Sequence, residues 1–358
     1  MIVFHIISRL DIGGAERVAL NIAKSSSKDI EYHLIEVAAA DSDYTAQFIK
    51  EAEYNGVIVH RAKVKDTKLA ILAFPFRFTT LIRKFHPSII HTHTEVPDLS
   101  LYLCNIYSPN LLKNTAIVRT IHNNQLWNRW KWIGQKVEKF MRNNASNIAI
   151  SESTRNSYRD EYGVECQIIY NGVEPMIQKL YPELVKGKLN ILFAGRMEYQ
   201  KGIDALIDVV SHYGNDKRFM FHIIGSGSEK NRVTKSLSNF TNVAFKDSIP
   251  LLGSQLGSFD YLFMPSLFEG LALTPMEASI AGTPTIINNV KGLSETLPQD
   301  WPLKVNNNDL REYVKIFDNL DNLDYKLLQI LAKQYTNQRF SLSEMQSNYE
   351  KLYYEICR

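Results

Sequence analysis

The chain has 358 residues, 45% of them hydrophobic, a net charge of +3 and three cysteines. That length holds more than one hydrophobic core and favours two domains over one. No run reaches the length of a membrane span, and Met1 leads straight into the strand-like IVFHIIS without a charged region, an apolar region and a cleavage site. Cys104, Cys166 and Cys357 are odd in number and lack metal-ligand spacing, so they read as packing residues rather than a disulfide framework or a zinc site. The expected compartment is the cytoplasm.

In chain order, short β-branched runs (IVFHIIS, HLIEVAA, VIVH, SIIHTH, AIVRTIH and NIAI, then NILFAG, FMFHIIG, YLFMPS and TPTIINN) alternate with longer stretches of helical period. That alternation predicts an α/β protein of βαβ units, with parallel sheets covered by helices on both faces. Ten such strands exceed one comfortable doubly wound sheet, and the Pro- and Gly-punctuated stretch YNGVEPMIQKLYPELVKGKLN resets the register. The expected organisation is a Rossmann-like domain over 1–170, a linker over 171–188, a second Rossmann-like domain over 189–338 and a closing helix over 339–358 that packs back toward the first domain. At the start of that helix, Ser341 with Glu344 spells a capping box and Phe340 with Met345 a hydrophobic staple. Tyr349, Leu352, Tyr353 and Ile356 fall on one face as a packing stripe.

Charge is uneven along the chain. Residues 61–142 carry 14 Lys+Arg against 4 Asp+Glu, whereas residues 1–60 carry 5 against 9. The basic block interleaves aromatics, as in FPFRFTTLIRKFHP and LWNRWKWIGQKVEKFMR. This pattern suits an anionic membrane surface or an anionic acceptor, nucleic acid, or plain amphipathic helices with solvated lysines.

In open α/β sheets ligands bind beyond the carboxyl ends of strands, so the loops after each apolar run are the places to search. After the first strand, Gly13 and Gly14 precede a helix whose first N–H groups suit an anion, although adjacent glycines are not the spaced dinucleotide fingerprint. In FAGRMEYQKGIDALI, Arg196 and Lys201 follow a strand and can converge on one phosphate-rich group. Gly225-Ser226-Gly227 leaves an uncluttered backbone that suits a flat base or an ordinary tight turn. In the first half His122 ends a strand, while His91 and His93 alternate with threonines; their spacing fits a metal pair, but no third ligand is apparent.

Two glutamates stand out in LFEGLALTPMEASIAG. Thr274-Pro275-Met276-Glu277 reads as a helix start, with Thr274 as N-cap and Glu277 closing a capping box. Glu269 has no such local explanation, because it precedes the helix in a turn where its side chain and the N–H groups of Gly270, Leu271, Ala272 and Leu273 can face one small ligand. Asp41-Ser42-Asp43 spells the acid-x-acid pattern of metal-dependent sugar transferases. It lies in a polar loop with no diphosphate-binding partner nearby and reads as surface.

Taken together, GGAERV, RTIHNN, IYNGV, FAGRMEYQKG and the two glutamates with seven residues between them resemble glycosyltransferase family 4, the retaining GT-B enzymes, over nearly the whole chain. The GGAERV opening is similar to that of bacterial capsular and exopolysaccharide enzymes. The resemblance implies two Rossmann-like domains facing across a cleft, with the acceptor on the side of the first, 1–170, and a nucleotide-sugar donor held mainly by the second, 189–338. Carried to matching positions, it implies that Arg196 and Lys201 hold the donor diphosphate and Glu277 the ribose hydroxyls. Glu269, with the N–H groups of Gly270 to Leu273, takes the donor sugar. Gly13 and Gly14 then sit near the diphosphate, His122 near the transferring sugar, and the backbone at Gly225 and near Ile249 meets the base. Catalytic roles fall to His122, Glu269, Arg196 and Lys201, with no metal and no cofactor expected.

The expected activity is a metal-independent, retaining hexosyl transfer to a lipid-linked or saccharide acceptor in cell-surface polysaccharide or glycolipid assembly. The protein is expected at the inner face of the membrane, touching it through residues 61–142, with no nucleic-acid partner. A nucleotide-sugar epimerase of the same architecture and a non-catalytic sugar-nucleotide-binding protein are the rivals. A dehydrogenase is disfavoured by the missing spaced glycines.

Overall fold

The computed structural model describes residues 1–11, 13–128 and 130–357. They divide into two compact units: Met1–Gly172 together with Leu342–Arg358, and Val173–Ser341.

The first unit is a seven-stranded parallel sheet. Its strands are β1 (Ile2–Ile7), β2 (Glu31–Glu36), β3 (Ile58–His60), β4 (Ile89–His93), β5 (Ala116–Ile121), β6 (Ala145–Ala149) and β7 (Gln167–Ile168), in the spatial order β3-β2-β1-β4-β5-β6-β7. Between them run α1 (Gly14–Ala23), α2 (Asp43–Tyr54), α3 (Thr67–Phe85), α4 (Glu95–Tyr107), α5 (Lys131–Asn144) and α6 (Glu152–Tyr162). Strands β1, β4 and β5 are almost entirely buried, as continuous apolar runs covered on both faces must be. The order reverses between β1 and β4, and a crevice opens at their carboxyl ends.

The second unit is a six-stranded parallel sheet of β8 (Leu189–Ala194), β9 (Phe219–Ile224), β10 (Val243–Lys246), β11 (Tyr261–Met264), β12 (Thr285–Asn288) and β13 (Lys304–Val305), in the order β10-β9-β8-β11-β12-β13. Its helices are α7 (Ile203–His212), α8 (Lys230–Leu237), α9 (Leu273–Ala281), α10 (Leu310–Asp318) and α11 (Tyr325–Arg339). The reversal here lies between β8 and β11.

Three strands went unrecognised in the sequence: β7, β10 and β13. Two of them are two residues long and all three are edge strands, too short to show alternation. The stretch expected as a linker packs on the second unit. Tyr181 is buried in that unit's core, and the Lys179 N–H donates to the Ser254 carbonyl at 2.6 Å. The final helix, α12 (Leu342–Ile356), belongs to the first unit, where Met345, Tyr349, Leu352 and Tyr353 are buried.

Candidate functional site

In the second unit the reversal between β8 and β11 brings two distant loops together. After β8 the chain makes a single 3-10 turn, Tyr199–Lys201, closed by Gly202 at φ 68°. A Cβ at Gly202 would run into the Pro265 carbonyl, so the glycine lets the loop after β11 approach at backbone distance. The Leu267 N–H then donates to the Gln200 carbonyl at 2.8 Å, and Gln200 Nε2 donates to the Phe268 carbonyl at 3.0 Å. Held this way, Lys201 Nζ donates to Glu269 Oε1 at 2.6 Å, with side chains 18% and 9% exposed. Arg196 is exposed, and no hydrogen bond or ion pair engages its guanidinium among the described residues.

Helix α9 begins at Leu273 with Ala272 as its cap residue and no side-chain cap. The capping box expected from Thr274 and Glu277 is therefore not formed. Pro275 occupies the third helical position, where its missing N–H falls among first-turn donors that have no intrahelical acceptor, so the helix starts two residues before the expected proline-led start. Glu277 therefore stands at the fifth helical position rather than the third. It lies half-buried in the second turn, its Oε2 4.0 Å from where a Cβ on Gly253 would stand. The first N–H groups of α9 follow directly on Glu269, Gly270 and Leu271, a ready anion site next to a lysine.

The glycines at 225 and 227 have a structural cause. A Cβ on Gly225 would strike the Gly195 carbonyl, and one on Gly227 the Met197 carbonyl, because the loops after β8 and β9 lie backbone against backbone. Ile249, beyond β10, is half-buried against the core of the unit.

In the first unit Gly13 caps α1 with extended backbone, and Gly14 is its first residue. The Glu16 carboxylate lies over Gly13, so that helix terminus already meets an acid. The Asp41-Ser42-Asp43 stretch is a helix start: Ser42 accepts from the Thr45 N–H at 3.2 Å, and Asp41 pairs with Lys65 at 3.2 Å on the surface.

His122 follows β5 directly and is 9% exposed. Its Nε2 meets His93 Nδ1 at 3.1 Å, and His93 Nε2 meets His5 Nδ1 at 2.9 Å. Burial pushes His122 and His5 down to about 3, and His91 and His93 well below the usual histidine range, so all four rings are neutral. His5, the third ligand not apparent in the sequence, sits opposite His91 in the register of β1 and β4, and one ring nitrogen each from His5, His91 and His93 lie within 4.8 Å of one another. Every one of those nitrogens is already engaged in a hydrogen bond, with His5 and His93 aimed at each other at 2.9 Å. Two imidazoles on a tetrahedral zinc stand about 3.3 Å apart with no hydrogen between them, so the geometry is that of a hydrogen-bonded chain. Sequence reading also missed Thr120, Tyr349 and Tyr353, which complete that chain; polar residues at buried strand positions were the available signal.

A cavity of about 620 Å³ opens beside the same sheet end, lined by Arg9, Lys65, Lys68, Glu95, Trp127 and Trp130 among others. Trp127 (φ 59°) in its lining and Thr94 (φ 74°), next in the chain to the lining residue Glu95, hold backbone conformations that non-glycine residues rarely adopt. Such strain is kept where surrounding structure holds a site in shape. Ser8 Oγ bonds Thr94 Oγ1 at 2.9 Å, tying the turn after β4 to β1.

Two doubly wound units, each with its strand order reversed at a switch point, are the architecture of the GT-B glycosyltransferases. Residues 12–176 match Glycosyltransferase Family 4 and residues 188–320 match Glycosyl transferases group 1. Between them the two matches take in most of the chain, which belongs to the family 4 glycosyltransferases. The capsular polysaccharide biosynthesis glycosyltransferase CapH of Staphylococcus aureus is 24% identical over 82% of each chain. A 41.2 kDa protein from the cps region of Klebsiella pneumoniae is 29% identical, and the match spans only 48% of either chain. The fold is that of HepE from Anabaena, solved with UDP-glucose, at a TM-score of 0.82 and 15% identity over 99% of this chain and 100% of that one.

Proposed function

We propose that the protein transfers a sugar, with retention and without a metal, from a nucleoside-diphosphate sugar to a saccharide or lipid-linked acceptor in cell-surface polysaccharide assembly. The observation that carries this reading is the convergence of Lys201, Glu269 and the N-terminus of α9 at the switch point, with Arg196, exposed and without a side-chain partner among the described residues, on the same loop as Lys201. When the anomeric carbon–oxygen bond breaks, negative charge collects on the leaving diphosphate. Arg196, Lys201 and the helix N–H groups are fixed positive ends for that charge. Each such donor is worth about 2.7–4 kcal/mol in comparable sites. With these in place no metal is needed. Glu269 takes donor-sugar hydroxyls while orienting Lys201, and Glu277, half-buried in the second turn of α9, takes the ribose.

On the acceptor side, the proposed reaction proceeds on one face of the sugar. The acceptor oxygen bonds to the anomeric carbon as the diphosphate departs, and the acceptor proton passes to the leaving phosphate oxygen. His122, held neutral by burial, positions the donor sugar and is not the base. The cavity lined by Lys65, Lys68, Trp127 and Trp130 combines flat aromatic faces with cations, a chemistry for an anionic or phosphate-bearing saccharide acceptor.

The membrane contact expected of residues 61–142 narrows to one face. Leu69, Leu72 and Phe76 of α3 are 61%, 63% and 61% exposed at helical spacing, the Phe76 ring meets Tyr107, and Lys68, Arg83 and Lys84 are exposed along the same helix. Apolar anchors framed by cations suit an anionic lipid surface at which a lipid-linked acceptor resides. No described helix is long and apolar enough to cross a membrane.

The test is thermal unfolding with EDTA present, against UDP first, because the HepE structure holds UDP-glucose, and then GDP, ADP, dTDP and NAD. A ligand at 100 times its dissociation constant adds about 2.7 kcal/mol, a shift of several degrees. Stabilisation by one nucleoside diphosphate, lost in Arg196→Ala/Lys201→Ala, is the expected result; stabilisation by NAD alone, or by none, rejects the reading.

A further inference from the structure

Seven side chains of the first unit form one unbranched hydrogen-bonded chain that starts on the closing helix α12. Tyr349 OH meets Thr120 Oγ1 at 2.8 Å, Thr120 Oγ1 meets His91 Nε2 at 2.7 Å, and His91 Nδ1 meets Tyr353 OH at 2.7 Å. Tyr353 OH then meets His5 Nε2 at 3.5 Å, His5 Nδ1 meets His93 Nε2 at 2.9 Å, and His93 Nδ1 meets His122 Nε2 at 3.1 Å. Every member but His122 is at most 1% exposed. The chain thus has one sealed end, at Tyr349, and one end that can meet a ligand, at His122 Nδ1.

Each link holds one hydrogen, and each neutral ring carries one N–H. The direction chosen at one link therefore sets every other. The sealed end decides it. The hydroxyl of Tyr349 is wholly buried with Thr120 as its partner among the described residues, so it donates to Thr120. Thr120 has two partners, and its own hydrogen goes to His91 Nε2. His91 Nδ1–H then donates to Tyr353, Tyr353 O–H to His5 Nε2, His5 Nδ1–H to His93 Nε2, and His93 Nδ1–H to His122 Nε2. All hydrogens of the six links find acceptors, and the seventh, on His122 Nδ1, stands at the open end. Run the other way, His91 Nε2–H donates to Thr120, and either Thr120 or Tyr349 is left with a buried O–H that has no acceptor, which protein interiors rarely keep.

We infer that Tyr349 and Tyr353 of the closing helix, acting through Thr120, His91, His5 and His93, hold His122 as the tautomer with its hydrogen on Nδ1. His122 therefore meets its ligand as a hydrogen-bond donor. This rests on the reading that His122 faces the donor sugar, and it makes the six other side chains positioning residues for that contact. A donor N–H fits a sugar hydroxyl or ring oxygen, and it cannot serve as the base toward an acceptor hydroxyl.

The experiment is nitrogen NMR of the full-length protein labelled with 15N-histidine, with the His122 signals assigned by their loss in His122→Gln. The expected spectrum shows a protonated Nδ1 and a bare Nε2 at His122; the reverse pattern overturns the inference. In Tyr353→Phe, which cuts the chain at its middle, the His122 signals are expected to move toward the average of the two tautomers. Unmoved signals in the folded variant overturn the role of the closing helix. Should that variant not fold, Thr120→Val removes the directing hydroxyl with little change of shape and carries the same two outcomes. Failure of the transferase reading is visible elsewhere, as the absence of any nucleoside-diphosphate stabilisation, and leaves these spectra as they are.

Discussion

Lys201 and Glu269, 68 residues apart in the chain, are joined by a 2.6 Å ion pair at the point where the strand order of the second sheet reverses. The pair is nearly buried, and Gln200 braces it with a 3.3 Å contact to the second carboxylate oxygen. The carboxylate thus fixes where the lysine points, and under the proposed function little ordering is left for the donor diphosphate to impose.

Arg196 and Lys201 separate in their effects on stability. Arg196→Ala removes an exposed side chain with no partner among the described residues, and its unliganded unfolding midpoint is expected to stay within about 0.5 kcal/mol of the parent. Lys201→Ala takes the cation from a nearly buried Glu269, at an expected cost of about 1–3 kcal/mol in urea. Both variants are expected to lose the nucleotide-induced rise in melting temperature and to turn over about 100- to 1,000-fold more slowly. Urea curves with and without nucleotide check both statements, and an unliganded Arg196→Ala protein as weakened as Lys201→Ala contradicts the geometry.

Arg119 tests the opposite case, a charged cluster built for the fold. It donates to Asp98 at 2.7 Å and to Glu138 at 2.9 Å, all three are buried, and Glu138 also accepts from Trp127 Nε1 at 2.7 Å. Burial raises Asp98 to about 6 even with the guanidinium beside it. Arg119→Met leaves two carboxylates without their cation and is expected to cost about 3–5 kcal/mol. Adding Asp98→Leu and Glu138→Leu should restore much of that loss, measured by chemical denaturation.

The buried histidines give acid sensitivity with a defined sign. His5 and His122 titrate at about 3 in the folded protein, His60 at about 4, and all return to about 6.5 on unfolding. Between those values the unfolded chain binds more protons, so their contribution is fully present above 6.5 and is lost as pH falls toward 3. Each ring contributes up to about 1.4 kcal/mol per pH unit in that window. Urea midpoints are expected to fall steadily from pH 7 to pH 5, and His5→Phe is expected to flatten the slope. A midpoint independent of pH over that range contradicts the neutral cluster.

The exposed face of α3 is expected to carry membrane affinity without carrying stability. Leu69→Ser/Leu72→Ser/Phe76→Ser should lower partition onto anionic vesicles at least tenfold and leave the melting temperature within a few degrees. Partition of the parent protein should itself fall with salt. Equal binding of parent and variant, by vesicle sedimentation, removes this face from the membrane contact.

Short-range pattern carried the alternation of strands and helices, the doubling of the architecture, and the position of Arg196, Lys201 and Glu269 in loops after strands. Those features are local: β-branched runs, glycine punctuation and the rule that α/β sheets bind at strand carboxyl ends. Tertiary structure decided where helix α9 begins, and with it that Ala272 rather than Thr274 stands at its cap position. It also docked the stretch around Tyr181 on the second unit. It alone joined His5, His91, His93 and His122 to two tyrosines more than 220 residues away, as in the Thr120 to Tyr349 bond. Pairing across that separation is set by sheet order and helix packing. No spacing along the chain encodes which strands become neighbours, so a histidine's partner is legible only once the sheet has closed around it.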